Sequence, residues 1–172
     1  MHKITDRNRS SLGRRDFVKA SMLATALIAS GCVIQPQAAP PKILFVCQAG
    51  TAKSAIAREM FKKRAKERGI DVDVFSRGLV IADHLSPELK QNLRDDGINT
   101  NAEPALALKP ADWAAADILV NFNPLPASVK HNDIRDWTDV PSVNDDYTNA
   151  RMILDKRIEA LLTEISRKTS KR

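Results

Sequence analysis

The sequence predicts an α/β domain, a small open parallel sheet of about four strands with helices on both faces and an oxyanion-binding loop directly after the first strand. Three observations lead there. Short apolar runs alternate with amphipathic stretches along residues 42–165, a spacing that implies crossover connections and therefore parallel pairing. The first run is continuously apolar, as a strand buried on both faces must be. Finally, a stretch rich in small residues, Cys47 to Ser54, joins that run to the first amphipathic stretch, at the place where open parallel sheets bind their ligands.

Taken in order, Lys42-Ile43-Leu44-Phe45-Val46-Cys47 follows Pro40-Pro41 and makes the first strand. From Ser54 to Arg68, the residues Ile56, Ala57, Met60, Phe61 and Ala65 share one face and basic residues the other, and Gly69 stops the helix. Val72 to Ser76 alternates briefly and ends at Gly78, a second strand. Ser86 caps a helix with Pro87 in its first position, Leu89 and Leu93 on its buried side and Gly97 beyond its end. Lys109-Pro110 opens a short helix through Trp113, and Ile118-Leu119-Val120-Asn121-Phe122 makes a third strand. Asn149 to Ser166 carries Ala150, Leu154, Ile158, Leu161 and Ile165 at helical spacing, a face that packs on the sheet.

A chain of 172 residues holds one such domain, placed here at 42–168, after a segment of a different kind. The formal charge is +6, but residues 1–31 hold six of the 27 Lys and Arg and two of the 21 acids, leaving 21 bases against 19 acids. That balance is an ordinary solvated surface. With aromatic residues at 5%, the stacking platform of a single-strand binder is also missing, so nucleic acid is excluded as a partner.

Residues 1–31 read as an export address. Ser11-Leu12-Gly13-Arg14-Arg15-Asp16-Phe17-Val18-Lys19 resembles the twin-arginine export motif, and the apolar run from Ala20 to Ile28 is shorter than the ~20 residues that span a bilayer. Ile28-Ala29-Ser30-Gly31-Cys32 resembles a lipoprotein cleavage site, with Ala29 where Leu is usual, and makes Cys32 the candidate for acylation. The alternative is cleavage after Ala38 or Ala39, with Cys32 discarded. Residues 32–41 are a linker, the part from Gln35 to Pro41 a short tether, and the expected location is the periplasm or cell envelope, on the membrane through the lipid if Cys32 is acylated. Cys47 is then the only thiol left, so the domain has no disulfide.

Around that thiol the loop has a definite chemistry. Small residues at Ala49, Gly50 and Ala52 let successive backbone N–H groups of Gln48, Ala49, Gly50, Thr51 and Ala52 turn inward as a nest, joined by the N-terminus of the following helix. A tetrahedral oxyanion fits such a nest. Lys53 adds charge, and a thiol facing oriented dipoles and an ammonium favours the nucleophilic thiolate. The competing reading of Cys47 is a small buried hydrophobe at a strand end. His2, His84 and His131 are scattered, so no metal site and no cofactor is implied, and His84 and His131 read as surface residues.

Val46-Cys47 through Phe61, with Thr51-Ala52-Lys53-Ser54 and Ala55-Ile56-Ala57-Arg58-Glu59-Met60-Phe61, resembles the signature of the low-molecular-weight tyrosine phosphatase and arsenate reductase superfamily, a Cys, five residues, then Arg-Ser. Ser76-Arg77-Gly78, Gly97-Ile98, Ala115-Ala116-Asp117-Ile118-Leu119-Val120 and Trp137 before a Pro-containing loop extend the resemblance over residues 42–165. It implies hydrolysis of phosphate monoesters, a phosphorylated protein among the candidate substrates, through a cysteinyl-phosphate on Cys47, with the Ser54 hydroxyl on the sulfur. Gly50 stands where the superfamily has Asn in a left-handed conformation, which Gly reaches at no steric cost.

Two departures fall on catalytic positions. The superfamily Arg is Lys53, which supplies charge without the planar fork that grips two oxygens. In the general-acid loop, Asp136-Trp137-Thr138-Asp139-Val140-Pro141-Ser142 has Val where an Asp precedes Pro. Asp139, one residue out of register, is the candidate acid, and Ser142 is the formal equivalent in another alignment. Thioredoxin-coupled arsenate reduction needs further cysteines that the domain does not have. Two readings follow, a weakly active phosphatase and a catalytically degenerate oxyanion- or partner-binding module of the same fold.

Overall fold

The computed structural model describes residues 39–170. The expected export segment at residues 1–31, Cys32 and residues 33–38 of the expected linker lie outside the described residues. Within them are four strands, β1 (Lys42–Cys47), β2 (Asp73–Gly78), β3 (Ile118–Asn121) and β4 (Ile134–Asp136), and four helices, α1 (Lys53–Glu67), α2 (Pro87–Asp95), α3 (Pro110–Ala115) and α4 (Tyr147–Thr169). The sheet order is β2-β1-β3-β4 with every pair parallel, the open α/β sheet expected from the alternation of strands and helices.

β1 is central because its residues are apolar on both sides. Ile43, Phe45 and Cys47 face a large core shared with α1, α2 and α4, whereas Leu44 and Val46 face a smaller one with Leu119, Val129 and Trp113 of α3. Helices do cover both faces, unequally. On the large face Phe45 packs against Phe61, Phe122 and Trp137 with ring centroids 5.8–6.3 Å apart, an aromatic layer that stiffens the carboxyl ends of β1 and β3.

Two elements depart from the sequence expectation. In α1, Arg58 does not join the basic outer face; it is 1% exposed, and its guanidinium reaches Glu59 at 2.7 Å, Ser76 Oγ at 2.9 Å and the Thr100 carbonyl at 3.1 Å. Each of its three nitrogens finds an oxygen, as burial of a charge demands. β4 escaped the sequence pattern because it is three residues long, carries Arg135 and Asp136, and leaves Ile134 exposed. Arg135 holds this edge strand to α4 through Glu164, at 2.8 Å and 2.9 Å, and short charged strands are how sheets blunt their edges. α4 starts at Tyr147, where the Asp146 carboxylate accepts the Asn149 N–H at 3.1 Å, an N-cap in the ordinary sense.

Candidate active site

β1 ends at Cys47, and the chain then turns through Gln48 to Ala52 into α1. The turn is possible because Gly50 adopts φ +74° and Gly78, the partner of Cys47 in β2, leaves room beside it. A Cβ on Gly78 would stand 2.8 Å from Gly50 N and 2.4 Å from the Val80 carbonyl, so the close passage of loop and strand end excludes any other residue there. The segment after β2 then runs along the loop, with Leu79 N–H on the Cys47 carbonyl at 3.0 Å, Val80 N–H on the Gln48 carbonyl at 2.9 Å and the Thr51 hydroxyl on the Ala82 carbonyl at 2.8 Å.

The loop is folded around the sulfur. Gly50 N–H donates to Cys47 Sγ at 3.2 Å, and Ser54 Oγ lies 3.0 Å from it. Ser54 Oγ also lies 3.4 Å from the Arg77 carbonyl; when the sulfur is a thiolate both neighbours only accept, and the shorter contact takes the single hydroxyl proton. Gln48 N–H is held by Asn123 Oδ1 at 2.9 Å. Among the described residues, the amides of Ala49, Thr51, Ala52, Lys53 and Ser54 donate to no acceptor, and no side chain caps α1 at Ala52. These are free donors at a helix N-terminus beside a sulfur, and the sulfur is turned toward them.

Above the sulfur is a cavity of about 320 Å³ lined by Cys47, Gln48, Ala49, Ala52 and Lys53 from the loop, Val80, Ala82 and His84 after β2, Asn123 after β3, and Ser142, Val143 and Asn144 before α4. A family model described as low molecular weight phosphotyrosine protein phosphatase matches residues 42–124, just under half of the chain and the part that contains this loop. The structure resembles YfkJ from Bacillus subtilis at TM-score 0.66 and 17% identity, covering 77% of this chain and 99% of that one. It resembles a low molecular weight phosphotyrosine phosphatase from Vibrio cholerae at 0.61 and 16%, covering 74% and 98%, and an arsenate reductase in its phosphate-binding state at 0.58 and 19%, covering 73% and 98%. No curated relative matches this chain by sequence, and at these identities the structural likeness carries the fold alone.

Against the superfamily pattern, the site residues divide. Ser54 Oγ and the Gly50 N–H meet the Cys47 sulfur, whereas the Gln48 N–H is taken by Asn123. Lys53 lines the cavity, where its ammonium donates to the Val140 carbonyl at 3.0 Å and lies 5.8 Å from the centre of the Phe122 ring. Burial lowers its pKa below the ordinary 10.5, partly offset by the charge of Cys47. Asp139 is not brought to the cavity. Its carboxylate is gripped by the Arg157 guanidinium, one bond at 2.8 Å, and it is 68% exposed; that ion pair first of all holds its pKa below the usual carboxylate range. The expectation of Asp139 as the acid is therefore corrected, because its side chain faces α4. Ser142, its formal alternative, does line the cavity.

Several wall residues were not singled out by sequence reasoning. Asn123 lies two residues past the end of β3, and the rule that ligands gather past the carboxyl ends of strands would have found it. Asn144 bridges two loops, its Nδ2 donating to the His84 carbonyl at 2.7 Å and its Oδ1 accepting the Ser86 N–H at 2.9 Å; no local pattern announces that. His84, read as a surface residue, is exposed but stands on the cavity wall. His131 is half-buried, with Nε2 2.9 Å from the Ala116 carbonyl and Nδ1 accepting the Asp133 N–H at 3.1 Å.

Proposed function

We propose that this protein is a phosphatase of the cell envelope that hydrolyses phosphate monoesters weakly, through a cysteinyl-phosphate on Cys47. The observation that carries the reading is the sulfur itself, held by Gly50 N–H and Ser54 Oγ at the base of a cavity rimmed by unpaired amides. A phosphoryl group placed there has its oxygens among fixed dipoles while its phosphorus faces Sγ, the arrangement in which preorganised donors stabilise a transferring group. Lys53 contributes a charge but no fork, and this supports slow turnover. Export by the twin-arginine route, with Cys32 as the acylated anchor, rests on the motifs of residues 11–32 and belongs to the same proposal.

A second reading has an observation of its own. No Asp or Glu is among the residues lining the cavity, so the site is also suited to holding an oxyanion or a partner's phosphorylated group without turnover. Turnover of p-nitrophenyl phosphate, compared between the natural protein and Cys47→Ser, separates the two. The phosphatase reading expects activity that Cys47→Ser abolishes; an inert natural protein, or activity that survives the substitution, overturns it. A melting temperature that still rises with millimolar phosphate in an inert protein is the result expected of the binding module.

A further inference from the structure

The wall of the cavity that holds Cys47 includes a titratable residue with no task so far. When phosphorus is transferred from an ester to sulfur, the departing oxygen is left with a negative charge and needs a proton unless its group is stable as an anion. No carboxylate lines the cavity, and Asp139 is held by Arg157. The Ser142 hydroxyl is too weak an acid to serve. Lys53 is committed to the Val140 carbonyl and to the loop whose amides receive the non-bridging oxygens.

The imidazole of His84 remains, on a stretch of backbone that is held from two sides. Residues 79–82 are bonded to the loop through the Cys47, Gln48 and Ala49 carbonyls, and Asn144 ties the His84 carbonyl and the Ser86 N–H to the segment before α4. The anchoring is all through backbone, so among the described residues the ring itself makes no hydrogen bond. Its neighbour Asp83 turns to Lys90 at 3.1 Å, Asp146 caps α4, and the other ionisable residues on the cavity wall are Cys47 and Lys53. An imidazole is the side chain best suited to exchange a proton near neutral pH.

We propose that His84 is the proton donor of this site, an inference that rests on the phosphatase reading. Cys47 thiolate attacks phosphorus and forms the S–P bond as the ester P–O bond breaks, and the departing oxygen takes the proton of the His84 imidazolium. Neutral His84 then accepts a proton from the water that attacks the cysteinyl-phosphate; the S–P bond breaks, phosphate leaves, and thiolate and imidazolium are restored.

The test compares two aryl phosphates by kcat/KM, which reads the first transfer. Phenyl phosphate needs a protonated leaving group, and p-nitrophenyl phosphate departs readily as an anion. His84→Gln and His84→Asn are expected to lower kcat/KM for phenyl phosphate by roughly 100-fold or more, and for p-nitrophenyl phosphate by less than roughly 5-fold. Added imidazole is expected to restore part of the phenyl phosphate activity of His84→Ala. Equal losses on both substrates, or no loss on either, overturn the assignment of His84 while the phosphatase reading stands. A natural protein inert toward both substrates overturns the two together.

Discussion

Lys53 is the residue on which the balance between turnover and binding depends. Its ammonium brings one charge to the cavity and already spends one donor on the Val140 carbonyl, so an incoming oxyanion meets a point donor and not a fork. Burial pulls its pKa below 10.5, and the sign of the consequence is fixed: the charged form is lost at a lower pH than in a free lysine. Phosphate affinity, measured by calorimetry from about pH 8, where the dianion is already formed, is expected to fall as pH rises toward 10.5. Lys53→Arg stays charged throughout, so its affinity is expected to stay flat over the same interval. Arg also offers a second charge-assisted bond worth about 1.5–3 kcal/mol, or roughly 10- to 150-fold in kcat/KM. A lysine protein whose affinity holds to the top of the range would show that the ammonium does not touch the anion.

At the scale of elements, α1 has two jobs, and separate residues carry them. Its N-terminus, uncapped and beginning at Lys53, leaves amides free for the site. Its middle is fastened to β2 and to residues 100–103 by Arg58, which joins Ser76, Thr100, Glu59 and, at 3.6 Å, Glu103. Removing a buried charge strands its partners, which costs more than the pair itself contributes. Arg58→Met is therefore expected to destabilise the domain by about 3 kcal/mol in urea unfolding, with Arg58→Lys intermediate because it keeps the charge and loses the fork. A Met variant within about 0.5 kcal/mol of the natural protein would mean that the cluster is matched by simple packing.

For the whole molecule, the domain and the segment proposed to direct export answer different questions. None of the described helices is long and apolar enough to cross a membrane; in the proposal, attachment rests on Cys32. Membrane fractions of cells expressing the full chain are expected to hold the protein, and Cys32→Ser to move it to the soluble envelope fraction. Equal partition of the two proteins into detergent would refute acylation without touching the chemistry of Cys47.

How much of this was legible in the sequence depended on the reach of each contact. The strands, the helices and the turn at Gly50 follow from spacing and residue size within a few positions, because apolar periodicity fixes which face is buried and a small residue fixes where the backbone can turn left-handed. The convergence of Cys47, Gly50 and Ser54 is of that kind, seven residues from end to end. β4 was too short and too charged for any period to register. The sequence by itself determined the order of every element but β4, and the meeting of Cys47 with Gly50 and Ser54. Only the tertiary structure decided that Lys53 meets Val140, 87 residues away, that Asp139 turns to Arg157, and that Asn144 fixes His84 across 60 residues. Such contacts depend on the path of loops past the sheet, and side-chain partners at that distance are chosen by packing and desolvation, which no local pattern records.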